Sequence, residues 1–106
     1  MSRDLASLVQ RIRSLDQRGV DPTMPLLTVM EHTLTDGYAR ALELEGERLR
    51  LERSIGELAH RLDGPEQAGE LRDLAERLRS TDDDLASLRE ALVPLQQRVD
   101  AARAAA

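Results

Sequence analysis

The chain has 106 residues, of which 20 are acidic, 15 are basic, one is aromatic and none is cysteine, and its formal net charge is −5. A domain of this length buries only about two-thirds of the surface that its unfolded chain exposes, so its core is small. The composition excludes disulfides, thiolate chemistry and, because it holds no lysine, Schiff-base chemistry.

The charge and hydropathy patterns give expectations about location and partners. A net charge of −5 repels a phosphate backbone, which argues against nucleic acid as a partner. No apolar run resembles a signal peptide or approaches the roughly 20 residues of a membrane span, so we expect a cytoplasmic protein without a membrane partner. Leucine, alanine, glutamate and arginine dominate the sequence, which is typical of long helices and coiled coils.

The first predicted element is an amphipathic helix within residues 1–19. Its apolar residues recur at steps of three and four, which places them on one side of a helix: Leu5, Leu8, Ile12 and Leu15. Gly19 is suited to end this helix. Residues 20–25 contain two prolines and predict a connector, in which Thr23 caps the helix that follows.

Two long helices are predicted next, over residues 26–62 and 65–105. In each of them apolar residues keep the three-four spacing for about five heptads, with few exceptions. The intervening Gly64 suits the position after a helix, and Pro65 suits the first turn of a new one. The sequence therefore predicts a turn within residues 63–69.

The position of this turn decides how the long helices pair. A turn within 63–69 lets the two leucine stripes pair as an antiparallel hairpin roughly 50 Å long, with Gly37 opposite Leu95. A turn near residue 80 is the alternative, because Ser80 and Thr81 followed by three aspartates resemble a helix N-terminus. If the first turn forms, Thr81 and these acids become a solvated weak point inside a helix.

We therefore predict an all-α fold: a single domain over residues 1–106, built as a long antiparallel coiled-coil helical hairpin with a short N-terminal amphipathic helix. Two helices leave apolar side chains uncovered, so we expect a homodimer that forms a helical bundle, or a stripe reserved for another protein. The N-terminal helix is expected to pack on the hairpin or on a second subunit. The predicted partner or dimer interface consists of Leu5, Leu8, Ile12, Leu15, Leu42 and Leu49.

Residues suited to catalysis are few. The chain has two histidines, no cysteine and no glycine-rich phosphate loop, so we predict neither an enzyme nor a cofactor. Glu57 and His60 have the spacing of a ligand pair in di-metal bundles. The heptad places both of them on the outside of the helix, so the sequence predicts no metal site.

The segment around His60 has a second interpretation. His60, Leu62 and Pro65 have the spacing of the phosphoacceptor segment in sensor-kinase dimerisation domains, which this segment resembles. His60, Leu62 and Gly64 are similar to the His-x-Leu-x-Gly of histidine phosphotransfer modules. The resemblance implies a solvent-facing histidine that accepts a phosphoryl group, although Arg61 stands where sensor kinases carry an acid.

The predicted turn is acidic, because it contains Asp63, Glu66 and Glu70. In shape, such a hairpin is similar to anti-sigma factors and to factors that insert an acidic tip into RNA polymerase, which implies a transcription component as partner. Our first expectation is a non-enzymatic coiled-coil adaptor or regulatory protein that acts through protein–protein interaction. Phosphotransfer through His60 and binding of a sigma factor or RNA polymerase are the alternatives.

Overall fold

The computed structural model describes residues 2–16, 24–61 and 63–105. These residues form three helices and no strand: α1 (Arg3–Asp16), α2 (Met24–His60) and α3 (Pro65–Ala105). The prediction of an all-α fold is confirmed. Gly19, Thr23 and Leu62, to which the sequence assigned a helix end, a cap and a core position, lie outside the described residues.

Local sequence explains where two of the helices begin. Ser2 caps α1, since its Oγ accepts a hydrogen bond of 3.2 Å from the backbone N–H of Leu5. Pro65 opens α3, where a missing N–H costs no helical hydrogen bond, and Glu66 follows in the first turn. Residues 80–84, the alternative position for a turn, lie inside α3, which is continuous from Pro65 to Ala105.

Helices α2 and α3 run antiparallel, because contacts between them join residues of rising number on α2 to residues of falling number on α3. Two such contacts are Glu31 with Arg103, at 2.6 Å, and Tyr38 with Gln96, at 2.8 Å. The molecule measures 62 × 21 × 15 Å. Its radius of gyration of 18.4 Å exceeds the roughly 13 Å of a compact chain of this length, so the molecule is a rod.

The N-terminal helix packs along one side of this pair and contacts α3 more extensively than α2. Three of its leucine-stripe residues, Leu5, Ile12 and Leu15, are buried with Val9 in one cluster with residues of α2 and α3. Arg98 of α3 also donates a hydrogen bond of 2.7 Å to the backbone oxygen of Leu15. Most of the α1 residues predicted as an interface therefore bury their apolar surface within the chain.

Among the described residues, three helices lie side by side over less than half of the rod. α1 has 14 residues and spans about 21 Å, whereas α2 has 37 residues and spans about 55 Å. Beyond α1 the hairpin still buries Leu51 and Leu58, but the other apolar residues of its stripes are half-buried: Ile55, Leu71, Leu74 and Leu78. The well-packed core lies in the α1 half.

Two polar residues interrupt the leucine stripes: Thr81 of α3 is buried, and Arg48 of α2 is exposed. Thr81 is 6% exposed, so the expectation of a solvated weak point at this residue is wrong. Thr81 belongs to the three-four stripe of α3, so its side chain faces α2. Threonine has the size of valine, so it fits a buried position in this stripe. Arg48 interrupts the stripe of α2, and its guanidinium reaches outward to Glu52 at 3.1 Å and Asp82 at 3.2 Å.

Gly37 of α2 faces closely packed side chains of α3 and α1. A methyl group at this position would lie 2.5 Å from Cδ2 of Leu92 and 3.4 Å from Cδ1 of Ile12, and both of these side chains are buried. The nearest residue across the helix pair is thus Leu92, whereas the sequence placed Leu95 there. A side chain at this position would have to displace the end of the Leu92 side chain in a well-packed part of the core.

We expect Gly37→Ala to lower the free energy of unfolding by about 1 kcal/mol, because overpacking costs about 1–3 kcal/mol and alanine recovers about 0.5–1 kcal/mol of helix propensity. Gly56 of the same helix is the matched control, since a Cβ there meets no atom within 4 Å. Gly56→Ala should raise the free energy of unfolding by about 0.5–1 kcal/mol. Urea denaturation of both variants measures these changes, and stabilisation by both would contradict the close approach.

Candidate protein-binding face

The candidate site begins with a second stripe on α2 that points away from the core. Tyr38, Leu42, Glu45 and Leu49 follow one another at steps of four, three and four, so they lie on one side of the helix. Their apolar members are well exposed: Tyr38 by 47%, Leu42 by 69% and Leu49 by 61%.

An equivalent stripe runs along α3. Ala86, Arg89, Val93 and Gln96 follow at steps of three, four and three, and Val93 is 55% exposed. The two stripes are adjacent, because the Tyr38 hydroxyl donates a hydrogen bond of 2.8 Å to Oε1 of Gln96 and the Arg89 guanidinium donates to Oε1 of Glu45. These eight residues together form one surface, which we call the open face.

The open face lies on the side of the hairpin opposite α1. Arg11 of α1 forms an ion pair of 2.8 Å with Asp36 of α2, and Arg40 and Glu43 line a groove against α1. Asp36 and Arg40 each lie two residues from Tyr38, which is about half a helical turn. α1 therefore covers the other side of the hairpin and leaves the open face to solvent.

Leu42, Leu49, Ala86 and Val93 all lie within about one helical turn of the Glu45–Arg89 ion pair. A surface of this kind, apolar around a single ion pair, is suited to binding a protein, since aliphatic burial supplies affinity and the charges fix the orientation.

Ion pairs mark the two ends of the open face. At one end Arg48 bonds both Glu52 and Asp82. At the other end Arg103 bonds Glu31 at 2.6 Å, and this hydrogen bond, together with the charge of Glu31, raises the pKa of Arg103. The Arg103 guanidinium stays charged at every physiological pH, so this end of the face keeps its ion pair.

The groove between α1 and α2 is a weaker candidate for a site. Acidic and basic side chains of both helices line it, and the Arg11–Asp36 ion pair crosses it. Leu8, which the sequence assigned to an interface, is half-buried on its wall. The groove is shallow and open, and its charges already pair with one another, which does not suit the enclosed binding of a small molecule.

The predicted acidic tip and His60 lie at the far end of the rod. Asp63, Glu66 and Glu70 are exposed, and so is Arg61 beside them. His60 is exposed and is the last residue of α2, and residues 61, 63 and 64 lie outside the helices. Binding by the acidic tip and phosphorylation of His60 stay predictions, because exposure alone does not distinguish them from a solvated turn.

Among the residues that the structure describes, no three His, Asp or Glu side chains are grouped closely enough to hold a metal ion. Over the same part of the chain, no helix combines the length and apolar character needed to cross a bilayer.

Comparison of the chain with protein-family models, with curated proteins and with solved structures found no match.

The sequence identified only part of the open face. Leu42 and Leu49 were assigned to an interface because neither belongs to the core stripe of α2, and both are exposed. Tyr38 and Val93 were missed. Each of them belongs to a second stripe of residues at three-four spacing, one on α2 and one on α3. These stripes indicate a surface only when the pairing of α2 with α3 shows that they lie side by side.

Proposed function

We propose that this chain is a non-enzymatic coiled-coil adaptor or regulatory protein that acts by binding protein chains through the open face. The observation that carries the proposal is the exposure of Leu42 and Leu49, at 69% and 61%, on a helix whose other side is packed against α1 and α3. In the monomer, most of the surface of these two side chains stays in contact with water. A bound protein would remove their apolar surface from water, at about 25 cal/mol per Å².

The charges of the hairpin support a role in specific association. We propose that α2 and α3 form an antiparallel coiled coil, in which residues beside the apolar seam select the partner. Glu31–Arg103, Tyr38–Gln96 and Glu45–Arg89 occupy equivalent positions one heptad apart along this seam. A partner that places basic residues against the glutamates of α2 and acidic residues against the arginines of α3 fits this row. Like charges at these positions would weaken binding.

The double substitution Leu42→Glu with Leu49→Glu tests this proposal. We expect the tagged wild-type protein to retain one or more proteins in near-equal amount, including untagged copies of itself, when incubated with soluble extract of its own organism. The double variant should lose them, because two carboxylates would have to be buried against the partner. Quantitative mass spectrometry of the retained proteins, with the wild type and variant compared side by side, measures the loss.

Val29→Glu is the matched control for this measurement. Val29 is an aliphatic residue of α2 that is 48% exposed. It lies two helical turns before Asp36, which pairs with Arg11 of α1, so it is on the α1 side of the helix and outside the open face. This variant adds a comparable charge to the same helix and should retain the same proteins as the wild type. Equal retention by all three proteins would show that the open face is not the binding surface.

A further inference from the structure

We propose that the open face binds the open face of a second copy of this chain, with the two rods parallel and α2 of each copy lying on α3 of the other. This inference rests on the proposed function and deepens it, because it names the partner and the arrangement. The two-fold axis runs along the rod, between α2 and α3, and passes close to the Glu45–Arg89 pair. The product is a four-helix core with the two α1 helices on its outer sides.

The charges of the open face select this arrangement. Rotation about the long axis of the rod sets Glu45 of one copy on Arg89 of the other, so that four charges alternate in sign around the axis. Rotation about a short axis at the same level would instead bring Glu45 onto Glu45 and Arg89 onto Arg89. Like charges held together inside an interface weaken association, so the parallel arrangement is favoured.

The apolar residues agree with the same arrangement. Leu42 precedes Glu45 by three residues on α2, and Val93 follows Arg89 by four on α3, so both lie about one turn from the ion pair towards the same end of the rod. Leu49 and Ala86 lie about one turn away towards the other end. In the parallel pair Leu42 thus meets Val93 of the second copy, and Leu49 meets the small Ala86.

The dimensions and helix directions are also suitable. The open face covers about 17 Å of the 62 Å rod, so the roughly 800 Å² that a stable interface needs from each partner requires contact along neighbouring turns of α2 and α3 as well. Because α2 of one copy lies on α3 of the other, every pair of neighbouring helices in the four-helix core is antiparallel. Helix dipoles then oppose one another between neighbours, as in up-down bundles.

Single cysteine variants test the arrangement, and the chain has no cysteine of its own to interfere. We expect a mixture of Leu42→Cys and Val93→Cys proteins to give a covalent dimer with a short bis-maleimide, because these residues meet across the interface. A mixture of Leu42→Cys and Leu49→Cys proteins is the matched control. These two residues would meet in the antiparallel arrangement, and in the parallel one they should give little covalent dimer.

Charge variants provide an independent measurement by sedimentation equilibrium. Glu45→Arg alone and Arg89→Glu alone should each weaken the dimer at least about tenfold, because all four central charges then have one sign. Mixing the two variants should restore the dimer as a heterodimer, in which the introduced arginine of one copy meets the introduced glutamate of the other. Neither variant can form the ion pair within its own chain, so recovery on mixing reports contact between copies.

The outcomes separate this inference from the proposed function. A wild-type protein that stays monomeric at its highest soluble concentration overturns the inference, as does cross-linking of Leu42→Cys with Leu49→Cys in place of Val93→Cys. If, in either case, the wild type retains a different protein that Leu42→Glu/Leu49→Glu does not retain, the proposed function stands. That protein is then the partner. If Leu42→Glu/Leu49→Glu retains every protein that the wild type retains, untagged copies of the chain included, both the inference and the proposed function are contradicted.

Discussion

Leu88→Asp should unfold the whole protein, with loss of most of its helical circular dichroism at 222 nm. Leu88 lies in the stripe of α3, is 0% exposed and belongs to the cluster that joins all three helices. A carboxylate at this position is buried without a partner, and the aliphatic contacts of leucine are also lost. Each effect costs several kcal/mol, against a total of roughly 5–15 kcal/mol for a domain of this size.

Three further substitutions provide reference values for the effect of Leu88→Asp. Leu88→Ala keeps the site apolar and should lower the free energy of unfolding by about 2–5 kcal/mol, which leaves a folded protein if the total is in the upper part of its range. Ile55→Asp should have a smaller effect than Leu88→Asp, because Ile55 is only half-buried and a carboxylate there can reach water. Val29→Asp, at an exposed position of α2, should leave the circular dichroism unchanged.

The measurement is thermal unfolding followed by circular dichroism, with each variant at the same concentration. If Leu88→Asp keeps the helical signal and melting temperature of the wild type, Leu88 does not lie in a core, and the packing of α3 against α2 described above is wrong. An effect of Val29→Asp as large as that of Leu88→Asp would show that helix propensity, and not burial, controls the stability of these helices.

Ile12→Asp has the second largest expected effect, which should be confined to α1. Ile12 is 0% exposed and is the α1 residue nearest to Gly37, at the crossing of the three helices. A charge there should release α1 from the hairpin, because the carboxylate cannot reach water while α1 is docked. A free helix of 14 residues is marginally stable in water, so α1 should also lose its helical structure.

This partial unfolding has a distinct signature. The helical signal should fall by roughly the share that α1 contributes, while α2 and α3 stay paired. Release of α1 uncovers Met30, Leu34, Leu95 and Val99, which belong to the same cluster. Binding of the dye ANS should therefore rise, and hydrogen exchange should speed up in residues 3–16.

Gln10→Asp is the control for the variant of α1, since it introduces the same residue into the same helix at an exposed position, where the carboxylate reaches water. It should change neither the dye binding nor the helical signal. If Ile12→Asp behaves in the same way, α1 is not held by its apolar stripe. If Ile12→Asp removes the entire helical signal, the hairpin depends on α1 for its stability, and the two halves of the rod unfold together.

Periodicity determined the helices of this protein because a three-four repeat of apolar residues is a local property. The stripes of α2 and α3 each repeat over several turns, and few other arrangements bury so many leucines at once. Gly64 and Pro65 likewise act locally, through the backbone conformations that they favour or exclude. Helix type and most of the buried residues could therefore be predicted from the sequence.

The sequence could not decide on which side of the hairpin α1 packs. Leu5, Ile12 and Leu15 form an apolar stripe that suits a dimer, a partner or the hairpin equally well, since hydrophobic burial has no direction. Tertiary contacts decide among these: Cδ1 of Ile12 lies 3.4 Å from the Cβ position of Gly37, and Arg11 pairs with Asp36 on the same side.

That choice also fixes the open face, because Leu42, Leu49 and Val93 stay exposed only when α1 takes the opposite side. The apolar residues and their spacing were determined by the sequence alone. Which of them stay in contact with water was decided by how three helices fit together, a property of packing that no single helix carries.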